Sequence, residues 1–208
     1  MSASMKRLMC LPECFTDKTF MRLSGLSPES AAVSLSRMKA EGLVASAGSR
    51  SGIYFNLLRN PNAAADNRIA ALLMVYPTTI LCGESVLHNA GWITQIPSAV
   101  SVCVLARNCY QQLDGFAITG RPMNWFRSVH RQLLKPEKAG FATYGLRSTT
   151  PEMAVAHVLS NGRGLGPDDF DIPDDQMPAV LEAIREAGCE NPFAPKETDG
   201  RRRRSTAP

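Results

Sequence analysis

The stretch from Thr16 to Asn56 is punctuated so closely that few arrangements satisfy it. Thr16 stands where a hydroxyl can cap a helix, Asp17 follows in the first turn where the helix dipole favours a carboxylate, and Phe20 and Leu23 share one side. Ser24-Gly25-Leu26-Ser27 interrupts this helix, and Ser27-Pro28 restarts one with a capping residue followed by proline at its first position. The second helix is predicted to run to Glu41, with Gly42 free to take the left-handed position just past its end. Two short strand-like runs, Leu43 to Ser46 and Ile53 to Asn56, flank the Gly/Ser-rich loop Ala47 to Gly52, which predicts a β-hairpin with Arg50 at its tip. A short helix over Met5 to Leu11, stopped by Pro12, precedes the unit.

Helix, tight turn, helix and hairpin in that order predict a winged helix-turn-helix. The helical period of about 3.6 residues puts Ala31, Leu35 and Met38 on one stripe, while Glu29, Ser30, Val33, Ser36, Arg37 and Ala40 point away. That outward face is small and polar enough to enter a DNA major groove. Arg37 can read guanine or grip phosphate, Ser30 can serve either purpose, and Val33 can touch a thymine methyl. Arg50 on the wing is the candidate for the backbone or minor groove. Glu29 would repel phosphate unless it faces a cytosine amino group. The competing reading is that of a protein-interaction module, with Arg37 and Arg50 as ordinary solvated charges; their joint placement on helix and wing favours DNA.

Charge supports the same division. The net +4 of the 208 residues hides eight Lys/Arg against four Asp/Glu in residues 1–60, eight against five in 61–160, three against ten in 161–200, and four arginines in the last eight positions. A basic front half suits a nucleic-acid partner. With 44% hydrophobic and 20% charged residues the chain reads as globular. Cys10, Cys14, Cys82, Cys103, Cys109 and Cys189 form no C-x-x-C pair and have no histidine at finger spacing, so they read as buried reduced thiols, with a metal site or a redox role as the lesser alternative and no metal or cofactor expected. No long apolar run occurs at the start or later, which predicts no signal peptide, no membrane span and a cytoplasmic location.

Residues 57–67 lack a period and contain Pro61, so a domain boundary is expected there. Beyond it, helices are predicted from Arg68 toward Tyr76, over Gly83 to Gly91, from Pro151 behind Thr150, and over Gln176 to Ala187; strands are predicted over Ala99 to Ala106 and Phe116 to Thr119. The expected fold is α+β, with a winged helix-turn-helix in 1–60, a mixed α/β domain in 61–190 and a disordered basic tail in 191–208. No phosphate loop, H-E-x-x-H or G-x-S-x-G signature is present, so no enzyme is expected. One alternative is a nucleic-acid-directed enzyme assembled from Glu84, His88 and His157; another is a protein-interaction module using the acidic run Asp168 to Asp175.

The order of motifs resembles that of the AbiEi-like type IV abortive-infection antitoxins, which are bacterial transcriptional regulators. Phe15-Thr16-Asp17, the Ser27-Pro28 helix, Glu41-Gly42-Leu43 and Gly52-Ile53-Tyr54 carry the resemblance in the winged part. Gly83 to Pro97 is similar to the family's S-A-L-x-x-x-G-L-x-x-Q-x-P stretch, and Thr150-Pro151-Glu152-Met153-Ala154 to its S-P-E-x-A-L helix start. Val86, where the family commonly has alanine, and the acidic segment depart from that pattern. The resemblance implies an autoregulating repressor that binds an inverted repeat in its own promoter and counteracts a nucleotidyltransferase-type toxin. A palindromic operator would call for a homodimer.

Overall fold

The computed structural model describes residues 3–106, 109–162 and 165–194. The chain is a mixed α+β protein with two small sheets, each flanked by helices.

Helix α1 (Ala3–Met9) leads into strand β1 (Cys14–Thr16) and helix α2 (Asp17–Ser24). The Thr16 hydroxyl accepts a hydrogen bond from the Thr19 amide at 3.0 Å, a cap that contributes about 1 kcal/mol. Gly25, at φ 64°, ends α2 in the left-handed conformation that a side chain disfavours. Helix α3 (Pro28–Ala40) starts on Ser27, whose Oγ accepts from the Ser30 amide at 3.3 Å. Strands β2 (Val44–Ser46) and β3 (Ile53–Asn56) pair antiparallel, and β1 pairs with the other edge of β3, giving the order β1-β3-β2. The sequence places Thr16 at a helix start and predicts no strand before it. Strand β1 exists because β3 offers a free edge to it, with Cys14 opposite Phe55 and Thr16 opposite Ile53.

Side-chain alternation makes β3 a shared wall. Tyr54 packs on the cluster of Leu8, Leu11, Phe15, Phe20, Ala31, Leu35, Met38 and Val44 beneath α1 to α3. Its neighbours Ile53 and Phe55 point the other way, into the larger core that holds Leu72, Leu87, Val102 and Val155. The expected boundary at 57–67 is part of this packing: it carries helix α4 (Ala63–Asp66) and fully buries Ala63.

The remaining strands and α-helices among the described residues are helix α5 (Arg68–Val75), strand β4 (Ile80–Leu81), helix α6 (Gly83–Asn89), strands β5 (Val100–Leu105) and β6 (Phe116–Arg121), and helices α7 (Met123–Val129), α8 (Pro151–Ser160) and α9 (Met177–Glu186). The second sheet has the order β4-β5-β6, antiparallel on one side of β5 and parallel on the other. Helix α8 packs against both α6 and α9. The acidic segment is anchored, not free: Phe170 is buried and the Asp171 amide donates to the Trp92 carbonyl at 2.8 Å. Of the expected tail, residues 191–194 form a turn in which Phe193 packs edge-on against Phe170; residues 195–208, with the four arginines, lie outside the described residues. Among the described residues no helix is long and apolar enough to cross a membrane.

Candidate nucleic-acid interface and thiol cluster

The inward stripe of α3, Ala31, Leu35 and Met38, is buried as its spacing demands, which turns Ser30, Val33 and Arg37 to solvent. Val33 is 60% exposed, well beyond what a β-branched residue needs for packing. These three residues, with Glu29, Ser34 and Leu26, line an open concavity of 490 Å³ to which α1 adds Arg7. The surface therefore holds two guanidinium groups, two hydroxyls and an apolar step, with one carboxylate at its N-terminal end.

Arg50 is exposed at the hairpin tip in the left-handed region, at φ 56°. Serine hydroxyls brace the tip: Ser46 Oγ and Ser51 Oγ both donate to the Gly48 carbonyl, at 2.9 and 3.0 Å, and the Ile53 amide donates to Ser51 Oγ at 3.2 Å. The loop also meets the second half of the chain, through Gln112 N to Ser49 O at 3.1 Å and Asp114 N to Ala47 O at 2.9 Å. That contact explains Gly48, since a Cβ there would lie 2.2 Å from the Gln112 carbonyl oxygen.

The trio considered for catalysis is divided between two cavities. Glu84 and His157 line one small cavity, whereas His88 lines another beside Arg68 and Ser85. His157 instead meets two cysteines that share no motif with it. Cys82, which follows β4, and Cys103 on β5 bring their sulfurs to 3.1 Å. His157 Nε2 lies 3.7 Å from the first and 3.8 Å from the second, and all three side chains are buried. Of the cysteines expected to be buried, Cys14, Cys82 and Cys103 are, while Cys10 is exposed and Cys109 and Cys189 are half-buried; all six are free thiols.

Arg121 orders this cluster. Its guanidinium lies 2.9 Å from His157 Nδ1 and over the Trp125 ring at 5.5 Å. A guanidinium only donates, so Nδ1 accepts from Arg121, while Nε2, the nitrogen facing both sulfurs, has the side-chain amide nitrogen of Asn161 at 2.9 Å. The Cys103 thiol is held well below the ordinary thiol range by the hydrogen bond from Cys82, aided by His157 and by the Arg121 charge, against the opposing effect of burial. Cys14 shows burial acting alone, which pushes its thiol up to about 11.

Two thiols and an imidazole within 4.8 Å of one another could hold a soft metal ion. Two details oppose it. Sulfurs at ~2.3 Å from one tetrahedral zinc stand about 3.7–3.8 Å apart, further than the 3.1 Å seen here. A ligating imidazole also hands its second N–H to an acceptor, whereas Nδ1 of His157 faces a donor. The arrangement fits thiol chemistry better than coordination.

No family model matches the chain, and no curated protein matches it. Among solved structures, its fold is similar to the crystal structure of the RV2827C protein from Mycobacterium tuberculosis, with a TM-score of 0.52 and 15% identity, covering 89% of this chain and 75% of that one. At that identity the likeness is one of fold, a mixed α+β architecture.

Proposed function

We propose that residues 1–60 act as a winged helix-turn-helix that binds double-stranded DNA, and that the chain is a transcriptional repressor of its own promoter. The observation that carries this reading is the open face of α3, where Ser30, Val33 and Arg37 stand beside Arg7 with none of the described residues packed over them. Arg50, on a turn braced by serine hydroxyls, supplies the wing contact to backbone or minor groove. Ser30 and Arg37 offer a donor and a planar fork to base edges, Val33 offers a methyl surface to thymine, and Arg7 offers a phosphate contact. The reading assigns no catalytic step, metal or cofactor to the chain.

The antitoxin role rests on the resemblance of Gly83 to Pro97 and Thr150 to Ala154 to the AbiEi-like family. Those segments form α6 and its following loop and the start of α8, and the two helices pack on each other. On this reading a neighbouring nucleotidyltransferase-type toxin is the partner, the operator is an inverted repeat, and a homodimer occupies it.

Fluorescence anisotropy with the DNA upstream of the chain's own gene tests the core of the proposal. Arg37→Ala is expected to weaken binding by about 1–3 kcal/mol, roughly fivefold to 150-fold, if the side chain reads a guanine. Arg50→Ala is expected to weaken it less and to flatten the dependence of log affinity on log salt by about one unit for one lost phosphate contact. Unchanged affinity and salt slope in the double variant would remove the assignment.

A further inference from the structure

The thiol cluster shares no residue with the proposed DNA-binding face, and its chemistry is independent of that reading. We propose that Cys82 and Cys103 form a reactive dithiol that small hydroperoxides oxidise to a disulfide, with Cys103 as the attacking sulfur and Cys82 as the resolving one. Three observations carry the assignment. The sulfurs are already 3.1 Å apart, so closing to the ~2.05 Å of a disulfide takes about 1 Å of movement. Nε2 of His157 lies 3.7 and 3.8 Å from the two sulfurs, on an imidazole held by Arg121 at Nδ1 and by the Asn161 amide at Nε2. The 3.1 Å sulfur separation and the donor at Nδ1 fit a dithiol better than a pair of metal ligands.

A cavity adjoins the cluster, but neither sulfur lines it and both are fully buried, so a small oxidant reaches them only when a side chain of the intervening wall moves. Arg121, Trp125, Val129, Met153 and His157 line a cavity of 240 Å³, and Trp125, Val129 and Met153 also pack against the cluster containing both cysteines. Met153, with an unbranched and flexible side chain, is the part of that wall that yields most readily.

The steps balance. Cys103 thiolate attacks the terminal oxygen of ROOH, the O–O bond breaks, and the leaving alkoxide takes a proton from solvent as ROH. Cys103 is then a sulfenic acid, oxidised by two electrons. Cys82 loses its proton and attacks the Cys103 sulfur; the S–O bond breaks, and the departing hydroxide takes that proton as water. Two thiols and one hydroperoxide thus become one disulfide, one alcohol and one water.

The test uses the full chain, reduced, desalted and treated with one equivalent of hydrogen peroxide. Peptide mapping by mass spectrometry is expected to show a Cys82–Cys103 link with loss of two hydrogens, reversed by dithiothreitol. In Cys82→Ser, dimedone is expected to trap a sulfenic acid on Cys103; in Cys103→Ser, Cys82 stays unlabelled. A readout on the wild-type protein guards against misfolded variants. Alkylation of an ordinary thiol slows roughly 75-fold from pH 8 to pH 6 because its thiolate fraction falls with a pKa of about 8.5, whereas Cys103 is expected to slow less than about threefold. The proposal is overturned if the first disulfide forms among the other cysteines, if Cys103 slows as an ordinary thiol does, or if the purified chain carries one equivalent of zinc that Cys82→Ser abolishes.

Discussion

Asn56 donates from Nδ2 to the carbonyl oxygen of Leu8 across 2.8 Å, tying the last residue of β3 to the last turn of α1. The same amide reaches the Leu11 carbonyl at 3.4 Å, and its Oδ1 accepts from the Arg59 amide at 3.2 Å. Arg7, next to Leu8, owes its place at the rim of the α3 concavity to this anchor. Asn56→Ala removes these hydrogen bonds and takes the Oδ1 acceptor from the Arg59 amide, while the Leu8 carbonyl keeps the Leu11 amide and the Leu11 carbonyl keeps the Arg59 guanidinium. A loss of about 1–3 kcal/mol is therefore expected in urea unfolding. Operator binding should weaken further than the stability loss explains, because Arg7 is no longer held; full affinity in the folded variant would show that the anchor does not serve the interface.

Val33 separates folding from recognition. At 60% exposure it contributes little to the core, so Val33→Glu is expected to change stability by no more than about 0.5 kcal/mol. A carboxylate at the centre of the α3 face would meet phosphates and base acceptors, and a loss of about tenfold or more in DNA affinity is expected. Thermal melts and anisotropy on the same sample check both halves.

Gly48 joins the hairpin to the second half of the chain. Gly48→Ala would drive a Cβ to 2.2 Å from the Gln112 carbonyl, displacing backbone that cannot rotate away as a side chain would. Such overpacking is expected to cost about 1–3 kcal/mol. Hydrogen exchange should quicken at the Gln112 and Asp114 amides, which bond to Ser49 and Ala47.

Cys14 gives stability an alkaline limb. Burial raises its thiol from 9.0 to about 11, so the unfolded chain ionises first as pH climbs. The contribution is complete below pH 9 and is lost as pH rises toward 11. Cys103 runs the other way: its folded thiol ionises more readily, so its contribution is complete at alkaline pH and fades as pH falls below the unfolded value of 9.0. Cys14→Val is therefore expected to narrow the stability loss between pH 9 and 11 relative to wild type and to leave the acid side unchanged. Urea titrations at several pH values compare the two; an identical alkaline slope would count against the buried thiol as its source.

The helix starts at Thr16, Ser27 and Thr150 were readable because a cap is a local bargain between a hydroxyl and an amide three residues on. The exposure of Ser30, Val33 and Arg37 was readable for a similar reason, since one buried stripe on a helix dictates the opposite face. Strands β1 and β4 were not legible, being too short for a period to appear and dependent on partners elsewhere in the chain. Helix α7 is likewise absent from the expected elements, since its N-cap is Pro122, which offers no capping hydroxyl.

What the sequence alone determined is therefore local: where helices begin and end, which side of α3 is wet, and that Arg50 sits at a turn. Only the tertiary structure decided that β3 serves two cores, that Gly48 is a contact point, and that Cys82, Cys103 and His157 converge. The physical reason is range: hydrogen bonds and periods within a few residues are written in order along the chain, whereas sheet pairing and core packing join residues whose separation carries no signal of their meeting.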